Sequence, residues 1–213
     1  MPEPFPPLYG ILDPAIASRP LASLAESLAD AGVKLLQLRD KRSSARGVQE
    51  EVQLLLAVVA SKAVRLIVND RPDIAAITRA GGVHVGQDDL PVEEARKICG
   101  PPMWVGVSTH NLDQLREADR TSADYIAVGP IFPTGTKENP DPVVGVEFVR
   151  KARQLTRKPL VAIGGITIES VADVFRAGAD SVAIVSDLNA ALDPGARARE
   201  YLAIANDVRA GKH

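Results

Sequence analysis

The chain has 213 residues, 46% hydrophobic and 24% charged, with a formal net charge of −2, so it is long enough to bury one large core and carries no basic excess to suggest nucleic acid or a membrane surface as a partner. Its single cysteine, Cys99, excludes an internal disulfide and any multi-cysteine metal centre. The longest aliphatic run, Leu54 to Ala60, is too short to span a bilayer, and the N-terminus MPEPFPPLYG lacks the basic start and apolar core of a signal peptide, so a cytoplasmic protein is expected.

In chain order, short apolar and β-branched runs predict eight strands: LYGIL, VKLLQL, RLIVN, GVHVG, MWVGVS, YIAVG, LVAIG and SVAIV. Stripes of helical period lie between most of them. Leu21, Leu24 and Leu28 form the first, and Val48, Val52, Leu55 and Val59 the second. Val146, Val149 and Leu155, then Val171, Val174 and Phe175, continue the pattern, and ARAREYLAIANDVRAG closes the chain as a helix. Glycines between helix and strand predict left-handed helix C-caps at Gly32, at Gly81 or Gly82, and at Gly178.

Strand–helix alternation implies a parallel sheet covered by helices, and eight strands in one undivided domain, residues 1–213, imply a single (β/α)₈ TIM barrel. An open doubly wound sheet is the alternative; it usually shows a glycine fingerprint after its first strand, where this chain has ILDPAIASRP.

Polar residues gather where a barrel does its chemistry, at the C-terminal strand ends. There lie Gln37, Arg39, Asp40 and Lys41, Asn69 and Asp70, the GQDD of strand 4, Ser108-Thr109-His110, the loop GPIFPTGTK, the pair Gly164-Gly165, and Ser186-Asp187. The N-terminal strand ends show no comparable cluster. Period two turns Gln37, Arg39 and, if the strand continues, Lys41 to one face, with Leu36 and Leu38 on the other. Charges pointing into a barrel need an anion: a ligand, or an internal salt bridge from Arg39 to Asp70 or Asp89. Asp70 and Asp89 end adjacent strands, where two carboxylates repel unless one is protonated or a Mg²⁺ ion joins them. The alternative is that both cap the following helices, the role expected of Asp88. Gly164, Gly165 and Ser186 suit a second anion, or are two tight turns. Lys137, with Thr134 and Thr136, lies between the two anion sites or in a solvated surface turn. His84 reads as a satisfied core histidine, Trp104 and Cys99 as packing. His110 lies at the mouth, and Asp13 either binds a ligand or begins a turn.

The ordered set QLRDK, VND, HVGQDD, GVSTH, VGPIFPTGTK, IGGI and IVS resembles the thiamine phosphate synthase family from strand 2 through strand 8. The resemblance implies a barrel that joins a hydroxymethylpyrimidine pyrophosphate to a thiazole phosphate, two small-molecule substrates, and releases pyrophosphate by a dissociative route. It implies that Gln37, Arg39, Lys41, Asn69, Ser108 and Lys137 contact the pyrimidine pyrophosphate, with Arg39, Lys41 and Lys137 catalytic. Asp70 and Asp89 would hold Mg²⁺, and Thr134, Thr136, Gly165, Val185 and Ser186 would contact the thiazole phosphate. Departures are small: Asp40 stands where Glu is frequent, and Arg71-Pro72 follows the Asn-Asp pair. The rivals are a thiazole tautomerase-like paralogue, which needs no pyrophosphate and metal cluster, and a non-catalytic phosphate-binding barrel.

Overall fold

In a computed structural model, which describes residues 4–135 and 142–211, the eight strands close into a parallel barrel in sequence order, β8 pairing β1. The strands are β1 (Leu8–Leu12), β2 (Leu35–Leu38), β3 (Arg65–Asn69), β4 (Gly82–Val85), β5 (Trp104–Thr109), β6 (Tyr125–Val128), β7 (Leu160–Ile163) and β8 (Ser181–Ile184). Around them lie α1 (Leu21–Asp30), α2 (Ala45–Val59), α3 (Pro72–Thr78), α4 (Val92–Cys99), α5 (Leu112–Arg120), α6 (Val146–Leu155) and α7 (Val171–Arg176), followed by the short α8 (Ser186–Asn189) and the closing α9 (Pro194–Arg209).

Strand parity divides the core in two. Tyr9, Ile11, Leu35, Ile67, Tyr125, Ala127, Val161 and Ala183 fill the barrel, while Leu36, Leu38, Leu66 and Val68 pack outward among the helices. The expected stripes Leu21–Leu24–Leu28 and Val48–Val52–Leu55–Val59 are buried there, each side chain contributing about 1.5–3 kcal/mol. Gly106 is required inside: a Cβ there would sit 2.0 Å from Tyr125 Cζ, so its absence makes room for that ring.

Two of the three expected glycine caps are left-handed, Gly32 (φ 99°) and Gly178 (φ 107°). The third is not: Arg79 takes that conformation at the end of α3 (φ 55°). Gly82 belongs to β4, where a Cβ would meet Trp104 O at 2.2 Å. Asp88 is exposed and does not cap the following helix; α4 starts after Pro91 without a side-chain cap.

The N-terminal rim is also polar, contrary to expectation. Arg96 of α4 pairs with Asp124, whose Oδ2 accepts from Val105 N–H (2.7 Å). Arg153 of α6 pairs with Asp180 (2.7 Å), whose Oδ2 accepts from Leu160 N–H (2.8 Å). In both, a helix arginine clamps the aspartate that precedes one strand and satisfies the backbone of the strand before it. No helix among the described residues is long and apolar enough to cross a membrane.

Candidate active site

A cavity of about 550 Å³ occupies the C-terminal mouth, within the usual range for a small-molecule site. Gln37, Arg39, Asn69, Ser108, Thr134, Gly165, Val185 and Ser186 line it. Eight of the residues expected to touch substrates therefore share one space. Lys41, Asp70 and Asp89 stand outside that lining, and Thr136 and Lys137 lie outside the described residues.

The sheet register places the cationic side. Arg39 N–H donates to Leu12 O (2.9 Å), continuing the ladder one step beyond β2 and turning its side chain inward. Its partner is neither Asp70 nor Asp89. Arg39 Nη1 donates to Asp13 Oδ2 at 2.5 Å, and Asp13 is only 3% exposed. Asp13 Oδ1 accepts from Ala15 N–H (2.9 Å), so the aspartate both begins the expected turn and fixes the guanidinium. Buried Asn189 secures the pair. Its Oδ1 accepts from Asp13 N–H (3.1 Å), and its Nδ2 donates to Ile11 O (2.6 Å) and Val185 O (2.7 Å).

Lys41 is not a barrel-facing residue, because β2 ends three residues earlier. From the bend beyond, its ammonium reaches Asp70 at 3.0 Å. Asp70 does not cap α3; it has a left-handed backbone (φ 61°), and its N–H donates to His84 O (2.8 Å). A non-glycine residue held at such a φ is a recurrent mark of a functional position. That conformation sets Asp70 beside Asp89, which accepts from Gly86 N–H (2.8 Å). Burial first, and then the Asp70 carboxyl, raise the Asp89 carboxyl above its ordinary range, against the Gly86 N–H and the Lys41 charge. Two acidic groups compete there for one proton or cation.

The opposite wall is built from tight backbone contacts. Ile131 N–H donates to Ile163 O and Phe132 N–H to Gly164 O, both at 2.9 Å, pinning the start of the β6 loop to the end of β7. Gly164 (φ 102°) and Gly165 (φ 63°) allow this approach: a Cβ on Gly165 would sit 2.4 Å from Pro133 O. His110 Nδ1 bonds Gly129 O (2.7 Å), bracing the same loop from β5.

Between the walls, a buried polar chain crosses the barrel. Gln37 Nε2 donates to Tyr9 OH (2.6 Å), Tyr9 OH lies 2.9 Å from Tyr125 OH, and Tyr125 OH lies 3.1 Å from His84 Nδ1. His84 Nε2 lies 2.8 Å from Ser108 Oγ. Burial pushes both phenols above their ordinary range, so they stay protonated. The satisfied core histidine is thus found, although no spacing in the sequence announces the two tyrosines as its neighbours or Asn189 as part of the site. Trp104 stacks on Phe5 (5.2 Å), and Cys99 Sγ donates to the Pro72 carbonyl, in keeping with packing roles.

The family profile described as thiamine monophosphate synthase matches residues 8–188. Thiamine-phosphate synthase of Koribacter versatilis is 49% identical over 206 residues, 93% of this chain and 95% of the relative. That of Shouchella clausii is 42% identical over 185 residues, 87% and 88% of the two chains. Among solved structures, thiamine phosphate pyrophosphorylase from Pyrococcus furiosus superposes with a TM-score of 0.86 at 30% identity, covering 95% of this chain and 96% of that one.

Proposed function

The chain belongs to the thiamine monophosphate synthase family of transferases, and from that premise we propose that it couples hydroxymethylpyrimidine pyrophosphate to thiazole phosphate, or its carboxylated form, releasing pyrophosphate. The observation that carries the reading is that the mouth cavity has an arginine-bearing wall at β2–β3 and a glycine-built wall at β6–β8. Two phosphorylated reactants placed from those walls would meet in the middle.

In this reading Gln37, Asn69 and Ser108 orient the pyrimidine. Arg39 and Lys41 bind the pyrophosphate, joined by Lys137, and place positive charge where negative charge develops as the C–O bond lengthens. Thr134, Thr136, Gly165, Val185 and Ser186 hold the thiazole phosphate so that the ring nitrogen faces the departing group, which is catalysis by positioning. No protein nucleophile is needed.

Asp70 and Asp89 would hold Mg²⁺. The pair itself fits the ion: two adjacent carboxyl groups, one raised first by burial and then by the other, offer hard oxygen donors in excess of the charge nearby. Among the described residues no third acidic, histidine or cysteine side chain completes a cage, which suits an ion that keeps waters and substrate phosphate oxygens. When bound, it would supply charge neutralisation to the leaving pyrophosphate.

The direct test mixes both substrates with Mg²⁺ or with chelator and follows pyrophosphate and thiamine phosphate. Metal-dependent release of both in equal amounts is expected. Thiazole phosphate binding without turnover by a folded sample would favour the tautomerase-like or non-catalytic alternative. The wall at β7 is checked separately. Gly165→Ala forces both a strained φ and a clash with Pro133 O, and should raise KM for thiazole phosphate on the order of 10²-fold. The KM for the pyrimidine pyrophosphate should change far less.

A further inference from the structure

The buried chain from Gln37 to Ser108 has a direction, which follows from counting protons. Each phenol and the serine hydroxyl has one proton to donate, and a neutral imidazole has one N–H shared between two possible positions. Gln37 Nε2 donates to Tyr9 OH, so the Tyr9 proton must go elsewhere. Tyr9 is 1% exposed, and the acceptor bonded to it among the described residues is the Tyr125 oxygen. Tyr125 is fully buried; its oxygen then receives Tyr9's proton, and its own goes to His84 Nδ1. With the Gln37 amide nitrogen facing Tyr9, any other arrangement strands a buried hydroxyl proton without an acceptor. An imidazole accepting at Nδ1 carries its proton at Nε2, which donates to Ser108 Oγ. The serine proton is then turned away from His84, toward the cavity that Ser108 lines.

We propose that Tyr9, Tyr125 and His84 are positioning residues that fix the polarity of the pyrimidine pocket, locking His84 as the Nε2–H tautomer and presenting Ser108 to the ligand as a hydrogen-bond donor. The hydrogen-bond sense stands on the Gln37 amide nitrogen facing Tyr9; its use for a pyrimidine rests on the reaction proposed above. Gln37, on the far side of the chain, commits its amide nitrogen to Tyr9 and keeps its oxygen as an acceptor. The pocket would therefore offer a donor at β5 and an acceptor at β2, in a sense that cannot reverse at one end without reversing at the other. Gly106 belongs to the same device, since a side chain there would displace the Tyr125 ring.

The test is the ¹⁵N–¹H NMR spectrum of the full chain labelled at histidine. Only three histidines are present, and His110→Gln and His213→Gln assign the other two. In wild type the His84 signals should show a proton at Nε2 and a bare Nδ1. Protonation at Nδ1, alone or with Nε2, overturns the proposal. Tyr9→Phe should keep the tautomer, because Tyr125 still donates to Nδ1. Tyr125→Phe removes that donor and should yield mixed tautomers, with KM for the pyrimidine pyrophosphate raised about tenfold and KM for thiazole phosphate within twofold. A Tyr125→Phe protein that folds and keeps the wild-type nitrogen pattern, or that alters both KM values equally, overturns it as well. Should Tyr125→Phe not fold, the wild-type spectrum still decides the hydrogen-bond sense. The expected pattern in a wild type that makes no thiamine phosphate would uphold that sense and sink the reaction instead.

Discussion

Arg39→Ala should lower kcat/KM for the pyrimidine pyrophosphate by about 10²–10³-fold, the scale for removing one preorganised charge-stabilising donor. KM for thiazole phosphate should stay close to wild type, because Arg39 lies on the opposite wall. The same substitution should also destabilise the fold. Asp13 is buried with Arg39 as its cationic partner, and breaking such a pair costs about 3 kcal/mol. For a chain of this size that lowers Tm by about 6–12 °C. The two effects separate with Asp13→Asn, which relieves the buried charge. Arg39→Ala combined with Asp13→Asn should recover most of the Tm and none of the activity. Recovery of both would mean that Arg39 is a structural ion-pair partner, and its assignment to pyrophosphate would be abandoned. Arg39→Lys should not substitute, since an ammonium cannot grip Asp13 and a phosphate with the geometry of a planar fork.

Asp70→Gly is expected to abolish Mg²⁺-supported turnover, a loss on the order of 10²-fold or more, while leaving Tm within about 2 °C of wild type. Opposing terms explain the small change in stability. Glycine relieves the left-handed backbone at φ 61° and the repulsion from Asp89, but raises the entropy lost on folding by about 0.5–1 kcal/mol. The lost Lys41 ion pair contributes little, because the lysine side chain is 55% exposed. Titrating Mg²⁺ against turnover checks the assignment. An unchanged Mg²⁺ requirement in Asp70→Gly would remove Asp70 from the metal site. A large fall in Tm with turnover intact would make the residue structural.

The barrel was legible because its strands are short and apolar and its strong helical stripes are long. α1 and α2 each bury four or more apolar positions on one face. α4 and α5 bury two apiece, Val92 and Ala95, and Leu115 and Ala118, too few to stand out as a period. α5 is marked instead by Asn111, whose side chain accepts from Asp113 and Gln114 N–H. Within the site, strand parity located Gln37 and Arg39 correctly, because one face of β2 must point inward. It failed at Lys41, where the strand had already ended. The internal partner of Arg39, Asp13 rather than the alternative Asp70 or Asp89, escapes the sequence for a different reason. Asp13 and Arg39 meet through the β1–β2 register, with Ile11 beside Gln37, and the sequence carries no signal of register between strands so far apart in the chain. Asn189 and the tyrosine chain are hidden likewise: Asn189 ties β1 to the end of β8 where the two ends of the chain close the barrel, and the tyrosines meet across it from β1 and β6.

The arginine–aspartate clamps at the N-terminal rim carry a consequence for evolvability. They repeat two strands apart, Arg96 with Asp124 and Arg153 with Asp180, and hold β5 and β7 by backbone bonds that no mouth residue shares. Selection for stability and selection for chemistry therefore act on different side chains at opposite ends of the same strands. A mutation at the mouth that trades one ligand for another leaves the clamps untouched, and a descendant of this barrel can change what it binds without first relearning how to fold.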